Sequence, residues 1–309
     1  MSRPHRHQWP EALRGALELI KAANIDDQPW RFTGGSALAT LYDHRYSRDA
    51  DLFFVEPIDI LRTESLLQER FGYSTKATAD YSLKVFLPHG SHVDLVNVKP
   101  LTQLPVLPFE FENRMIDREH PAEILAKKIR FRGGEATPRD IFDYATVIDR
   151  ASDDWPNAAI ASGYGGMAKL LEILREGKED FVAIAPTEIA TATPFDPAEI
   201  WKRVESAAHS VMPAVLWADT VRQYANRPAN WREEWYLRAI QRAGELDPAA
   251  ERLIDALKGL DALGECSIAT GLSAAADAIQ NNGSDLMRGR VKSLVQELGL
   301  QAPGAVRPI

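Results

Sequence analysis

The sequence has one cysteine, Cys266, in 309 residues. An internal disulfide is therefore excluded, and a reducing compartment, the cytoplasm, is the expected setting. No stretch approaches the ~18 consecutive apolar residues of a membrane span, and the opening MSRPHRHQWP lacks the apolar run of a secretory leader. No membrane partner is expected. A basic excess is missing as well: the formal charge is −8, which argues against binding nucleic acid through bulk electrostatics. The deficit is uneven. Residues 1–150 hold 20 Lys and Arg against 22 Asp and Glu, a net of −2, while the remainder carries −6. A polyanion would meet the first half, at a local patch. Internal repeats and low-complexity tracts are also absent.

What is there suits a globular chain, with 45% hydrophobic and 26% charged residues and enough length to bury a core. Glu11 to Ala23 is apolar at helical spacing. Trp30 to Thr33 reads as a short strand stopped by Gly34-Gly35, with Ser36 as N-cap of the next helix. Asp49 to Val55 reads as a strand, and Pro57 opens a helix to about Arg70. Tyr81–Leu87 and Ser91–Val98 predict a hairpin around Pro88-His89-Gly90. Beyond Pro100 a proline-spaced loop is expected, then helices over Ala122–Phe131 and Arg139–Asp149, the second started by Thr137-Pro138. From Trp155 onward the pattern is helical. Five of the seven tryptophans fall there (Trp155, Trp201, Trp217, Trp231, Trp235) and read as packing anchors. The tail QAPGAVRPI reads as frayed. The expected class is α/β (α+β), with one domain over 1–150 and a helical one over 151–309.

The chemistry gathers in the first half. On a strand, Asp49 and Asp51 point to one face. HVDLVNV sets a third carboxylate, Asp94, among β-branched and apolar neighbours, where an acid is costly unless paired or metal-bound. Carboxylates on adjacent strands suit a pair of Mg²⁺ ions, which take hard oxygen ligands and leave positions open for phosphates. Gly34, Gly35 and Ser36 open a helix, where free N–H groups and the helix dipole favour an anion. Farther on, Lys128 lies four residues after Ile124 and three after Leu125, so it shares the face that should be buried. Lys127 aligns with Glu123 and Arg130 and reads as a surface residue. Asp140 and Asp143 share a helix face and could orient Lys128, contact the incoming group or act as base. His89 and His92 frame a hairpin turn without further zinc ligands nearby and read as loop histidines. SGYGGM (162–167) reads as a loop.

The stretch Gly34-Gly35-Ser36 through Arg45-Tyr46-Ser47-Arg48-Asp49-Ala50-Asp51-Leu52-Phe53 resembles the DNA polymerase beta-like nucleotidyltransferases and, within them, the abortive-infection AbiEii/AbiGii toxin family. Their pattern is a Gly-Gly-Ser/Thr turn, a short helix, then R-x-S-x-D-x-D. The resemblance continues at Asp94 and through Glu123, Ala126, Lys128, Arg139, Asp140 and Asp143, and covers roughly residues 30–150. It implies a nucleotidyltransferase fold, a small mixed sheet with flanking helices. It also implies transfer of a nucleoside monophosphate from an NTP to an acceptor. Asp49, Asp51 and Asp94 would hold two Mg²⁺ and act catalytically with Lys128, Asp140 and Asp143. Gly34, Gly35, Ser36, Arg45, Ser47 and Lys128 would bind the nucleotide. The family resemblance implies RNA, with tRNA the expected kind, as acceptor, and a toxin–antitoxin or phage-defence role with a cognate antitoxin. The basic run that includes Arg130, Arg132 and Arg139 is the expected acceptor contact. Two other readings remain: an aminoglycoside-type transferase, disfavoured by Ser47 where those enzymes commonly hold histidine, and a non-catalytic binding module on the same fold.

Overall fold

The computed structural model describes residues 7–224, 248–267, 270–271 and 274–275. Trp231, Trp235 and the QAPGAVRPI tail lie outside the described residues. Helix α1 (Trp9–Ala22) buries Ala12, Leu13, Ala16, Leu19 and Ile20, the stripe that its spacing predicts. Strand β1 (Trp30–Thr33) runs without a loop into α2 (Gly34–Tyr42), and β2 (Ala50–Phe54) follows. Then come α3 (Ile60–Phe71), β3 (Ser74–Thr78), β4 (Ser82–Phe86), β5 (His92–Asn97), β6 (Leu107–Phe111) and β7 (Arg114–Arg118). The helices α4 (Pro121–Arg132), α5 (Pro138–Arg150), α6 (Asp154–Glu176), α7 (Lys178–Glu188) and α8 (Pro197–Tyr224) complete the main body, with one more helix at Pro248–Ala262. Among the described residues no helix is long and apolar enough to cross a membrane.

The seven strands form one mixed sheet in the order β3-β4-β5-β2-β1-β7-β6. Strand β2 lies at its centre, antiparallel to β1 and parallel to β5. Ala50, Leu52 and Phe54 are buried while Asp51 and Phe53 face the other way, so pleat parity sends the carboxylate out of the apolar layer. The fold class is mixed α/β, as expected.

Several local expectations need correction. The stretch after Pro100 is not a loop throughout, because β6 and β7 form a hairpin in it. Its two-residue turn, Glu112-Asn113, has φ of 49° and 63°, the left-handed geometry of a tight hairpin without glycine. Strand β3 was also unforeseen; it is a short polar edge strand with weak periodicity. Ser36 does not cap α2, which begins two residues earlier with Thr33 in the capping position. SGYGGM is not a loop but a break within α6, where Gly163 turns to φ 76° and the helix resumes. The start of α5 is as expected: Thr137 and Asp140 form a reciprocal capping box with Pro138 in the first turn. Trp155 and Trp201 are buried and donate to the carbonyls of Ala207 and Leu174.

Helices α4 and α6 meet backbone to backbone through glycines. A Cβ on Gly133 would lie 2.6 Å from the Gly166 carbonyl oxygen, an atom that cannot rotate away, while one on neighbouring Gly134 would find nothing closer than Lys169 Cδ at 3.7 Å. Gly133→Ala should therefore cost about 2 kcal/mol in urea unfolding, and Gly134→Ala should stay within about 0.5 kcal/mol. Equal stability of the two variants would contradict this account of the interface.

Candidate active site

The site is built at the ends of β1, β2 and β5. Asp51 stands opposite Thr33 on one side and opposite Asp94 on the other, so the two carboxylates are adjacent across a parallel ladder. Gly34 has φ 72°, and a Cβ there would sit 1.9 Å from Asp51 Oδ2. That glycine is needed both for the turn into α2 and for the carboxylate resting on it. Gly35 is needed for another reason: a Cβ would lie 2.0 Å from Arg45 Nη2. Ser36 is buried, shares a 2.7 Å hydrogen bond with Ser47 Oγ, and donates to the carbonyl of Asp49. Both hydroxyls therefore fix the chain that leads into β2.

Two cations of the chain contact the carboxylates. His92 Nδ1 lies 3.0 Å from Asp49 Oδ1 and Nε2 lies 3.2 Å from Asp94 Oδ2, and Lys84 Nζ is 2.9 Å from that same Asp94 oxygen. The hydrogen bonds to Asp49 and then Asp94 raise His92 to about 9. Burial pushes Asp49 and Asp94 upward, but His92, with Lys84 at Asp94, holds both below the ordinary value. The Asp51 carboxylate makes no hydrogen bond or ion pair among the described residues, and burial together with Asp94 raises it to about 6.

A second cluster lies behind the first. Asp143 is fully buried and meets three groups: Arg45 in a two-point contact (2.7 and 2.9 Å), His44 Nε2 at 2.7 Å and Lys128 Nζ at 3.0 Å. Burial would raise its carboxyl, but Arg45 and Lys128 hold it well below the usual range. Lys128 also lies 2.5 Å from Asp140 Oδ1, while Asp140 Oδ2 completes the α5 capping box. Burial disfavours the Lys128 ammonium, yet the two carboxylates keep its pKa above the ordinary value.

Among the described residues no three Asp, Glu, His or Cys side chains are arranged to hold a metal ion. The His92 ring lies between Asp49 and Asp94. The donor chemistry nonetheless fits a hard divalent cation, with three oxygen ligands at one sheet end and Asp51 without a cationic contact.

Residues 18–92 match the family described as nucleotidyl transferase AbiEii toxin, Type IV TA system. The matched segment is 75 of the 309 residues, about a quarter of the chain. The match takes in the glycine turn, Asp49, Asp51 and His92 and stops before Asp94 and Lys128. Among solved structures, JHP933 from Helicobacter pylori is 16% identical, over 69% of this chain and 97% of that one, with a TM-score of 0.40. An antigenic nucleotidyltransferase-like protein from Paracoccidioides brasiliensis is 15% identical, over 59% and 95%, at 0.33. A CCA-adding enzyme in an apo form is 12% identical, over 94% and 82%, at 0.28. Likeness at this level carries nothing about substrate. No curated protein matches the chain.

Around the matched segment, several side chains lie where local pattern did not put them. Lys127 is not at the surface: its side chain is 4% exposed, 2.5 Å from Glu119 and 3.0 Å from Glu123, with Phe53 beneath it. Glu123 is buried too and accepts from the N–H groups of Leu101 and Thr102. Helix α4 has no broad solvated face because it packs against both the sheet and α6, so periodicity had nothing to report. His92 is not a loop histidine. It lies two residues before Asp94 on β5, and strand parity, applied to it as to the aspartates, would have found it. Arg130, Arg132 and Arg139 are all exposed, but they do not form one row. Arg130 and Arg132 are about 200° apart around the helix. Arg132 lies 3.8 Å from Asp140, beside the site, whereas Arg130 lines a cavity of about 560 Å³ with Leu101, Gly165, Lys169 and Arg222.

The two clusters should respond oppositely to substitution in metal-free buffer. Asp51 has a raised folded value, so the protein loses stability as pH rises from about 3.8 through about 6. Asp51→Asn should escape that loss and be roughly 3 kcal/mol more stable at pH 8, the gain fading toward pH 4. Asp143 has a depressed value, so its contribution is present above 3.8 and is lost only in acid. Asp143→Asn should cost about 3–5 kcal/mol at neutral pH. Urea unfolding across pH reads both, and a destabilised Asp51→Asn at pH 8 would contradict the electrostatic account.

Proposed function

We propose that the AbiEii domain transfers a nucleoside monophosphate from an NTP to an RNA acceptor, as the toxin of a toxin–antitoxin pair. A nucleotidyl transfer role follows from the family match. The observation that supports transfer at this site is the pairing of Asp51 with Asp94 across β2 and β5, with a glycine-opened helix adjoining; the RNA acceptor and the toxin role rest on the family resemblance. We take residues 1–150 as the catalytic unit and 151–309 as a helical domain supporting it.

Asp49, Asp51 and Asp94 would hold Mg²⁺, two ions being the expected number. Bound there, the metal would supply charge neutralisation for the triphosphate and the attacking oxygen. The backbone N–H groups of Gly35 and Ser36, at the positive end of α2, are suited to phosphate oxygens. The acceptor hydroxyl oxygen forms a bond to the α-phosphorus, the bond to the β-phosphate oxygen breaks, and pyrophosphate leaves. Asp94 is our candidate to take the hydroxyl proton. Lys128 would offset charge growing on the phosphates, with Asp140 and Asp143 positioning its ammonium and Arg45 held by the same Asp143. Arg132 and Arg139 are the stronger acceptor candidates, since Arg130 faces the cavity.

Incubation with each α-³²P NTP and total cellular RNA should move label onto RNA, and Asp49→Asn should reduce this by several orders of magnitude while folding normally. Near-normal transfer by that variant would sink the metal assignment, and label moving onto an aminoglycoside pool instead would favour the small-molecule reading. Arg132→Ala with Arg139→Ala should lower the slope of log affinity against log salt for RNA by roughly two contacts. Arg130→Ala should leave the slope unchanged. A slope that falls only with Arg130→Ala would move the RNA path to the cavity side of α4.

A further inference from the structure

Three carboxylates at one sheet end need positive charge whether or not a metal is bound, and in this chain the charge comes from residues with no place yet in the reaction. His92 spans Asp49 and Asp94, with ring nitrogens at 3.0 and 3.2 Å, and its backbone N–H donates to the same Asp49 oxygen at 3.1 Å. The ring therefore fills the space between the two carboxylates and meets one oxygen of each. Lys84, directly opposite Asp94 on β4, reaches the Asp94 oxygen that His92 also meets. Asp51 receives neither.

We propose that His92, assisted by Lys84, is a built-in placeholder that takes the place between Asp49 and Asp94 in the metal-free protein and must leave it for a divalent cation to bind. This rests on the reading of the aspartates as metal ligands. The two ring contacts and the hydrogen bond that the Lys84 ammonium donates to Asp94 occupy carboxylate oxygens that a metal would need. Metal affinity in the absence of nucleotide is therefore kept low. The side chains of His92 and Lys84 are 27% and 33% exposed, so once displaced they have room at the rim, where an incoming triphosphate brings negative charge.

The test is binding of Mn²⁺ to the full chain, read from the free-ion signal in electron paramagnetic resonance, for wild type, His92→Gln, Lys84→Met and Arg132→Met. Arg132 acts on Asp51 through space without touching Asp49 or Asp94, so its variant reports the effect of lost charge alone. His92→Gln should bind Mn²⁺ at least ~10-fold more tightly than wild type, with a smaller gain for Lys84→Met and less than ~3-fold for Arg132→Met. Should His92→Gln misfold, the Lys84→Met gain over Arg132→Met decides. Weaker binding by His92→Gln would make the imidazole a ligand and overturn the inference, as would a gain no larger than that of Arg132→Met. No Mn²⁺ binding by any of the four proteins, with or without NTP, would overturn the metal reading itself.

Discussion

Asp51 and Asp94 are fixed side by side by the parallel ladder between β2 and β5, and neither backbone can move to relieve their repulsion without breaking the sheet. The surroundings follow from that constraint. Gly34 leaves room for the Asp51 carboxylate, His92 and Lys84 bring positive charge to Asp94, and Asp51 is left with a proton affinity near 6. A site arranged this way is under electrostatic tension in the absence of a cation. Such tension costs stability, the kind of conflict between folding and function that active sites commonly carry.

The second cluster solves a different problem, that of holding distant pieces of chain in register. Arg45 leads into β2, Lys128 is on α4 and Asp143 is on α5, and the buried Asp143 carboxylate joins all three. Asp140 belongs both to the α5 capping box and to the Lys128 ion pair, so a local helix start fixes the position of a cation from another helix. The buried Glu119, Lys127 and Glu123 do the same on the opposite side of α4, with Thr33 donating to Glu119 just before the glycine turn. Removing one partner from such a network leaves an uncompensated buried charge, so it contributes more to placement than to net stability.

Features governed by local rules were legible in the sequence: the alternation of Asp51 against buried Ala50 and Leu52, the glycine turn, and the Thr137-Pro138 helix start. Features decided by tertiary packing were not. Lys127 looked solvent-facing because helical periodicity assumes one wet side, and α4 is enclosed on two. The β6–β7 hairpin was hidden because prolines at 105 and 108 suggested loop and its turn is made by Glu112-Asn113, without glycine. His92 shares a strand face with Asp94, a relation that a count of zinc ligands does not detect. The glycines of α6 permit a break at Gly163 and a close approach at Gly166, and only the neighbouring helix shows the second use.

In the proposed reading the three aspartates form one divalent-cation centre, with His92 and Lys84 in place there until substrate arrives. Crystals grown with Mn²⁺ and a non-hydrolysable NTP, with data collected at the manganese edge, address it most directly. The account predicts anomalous peaks within coordination distance of Asp51 and of Asp49 or Asp94, with the His92 ring moved out from between the carboxylates. Triphosphate bound with no manganese at the aspartates, and His92 still between Asp49 and Asp94, would contradict it.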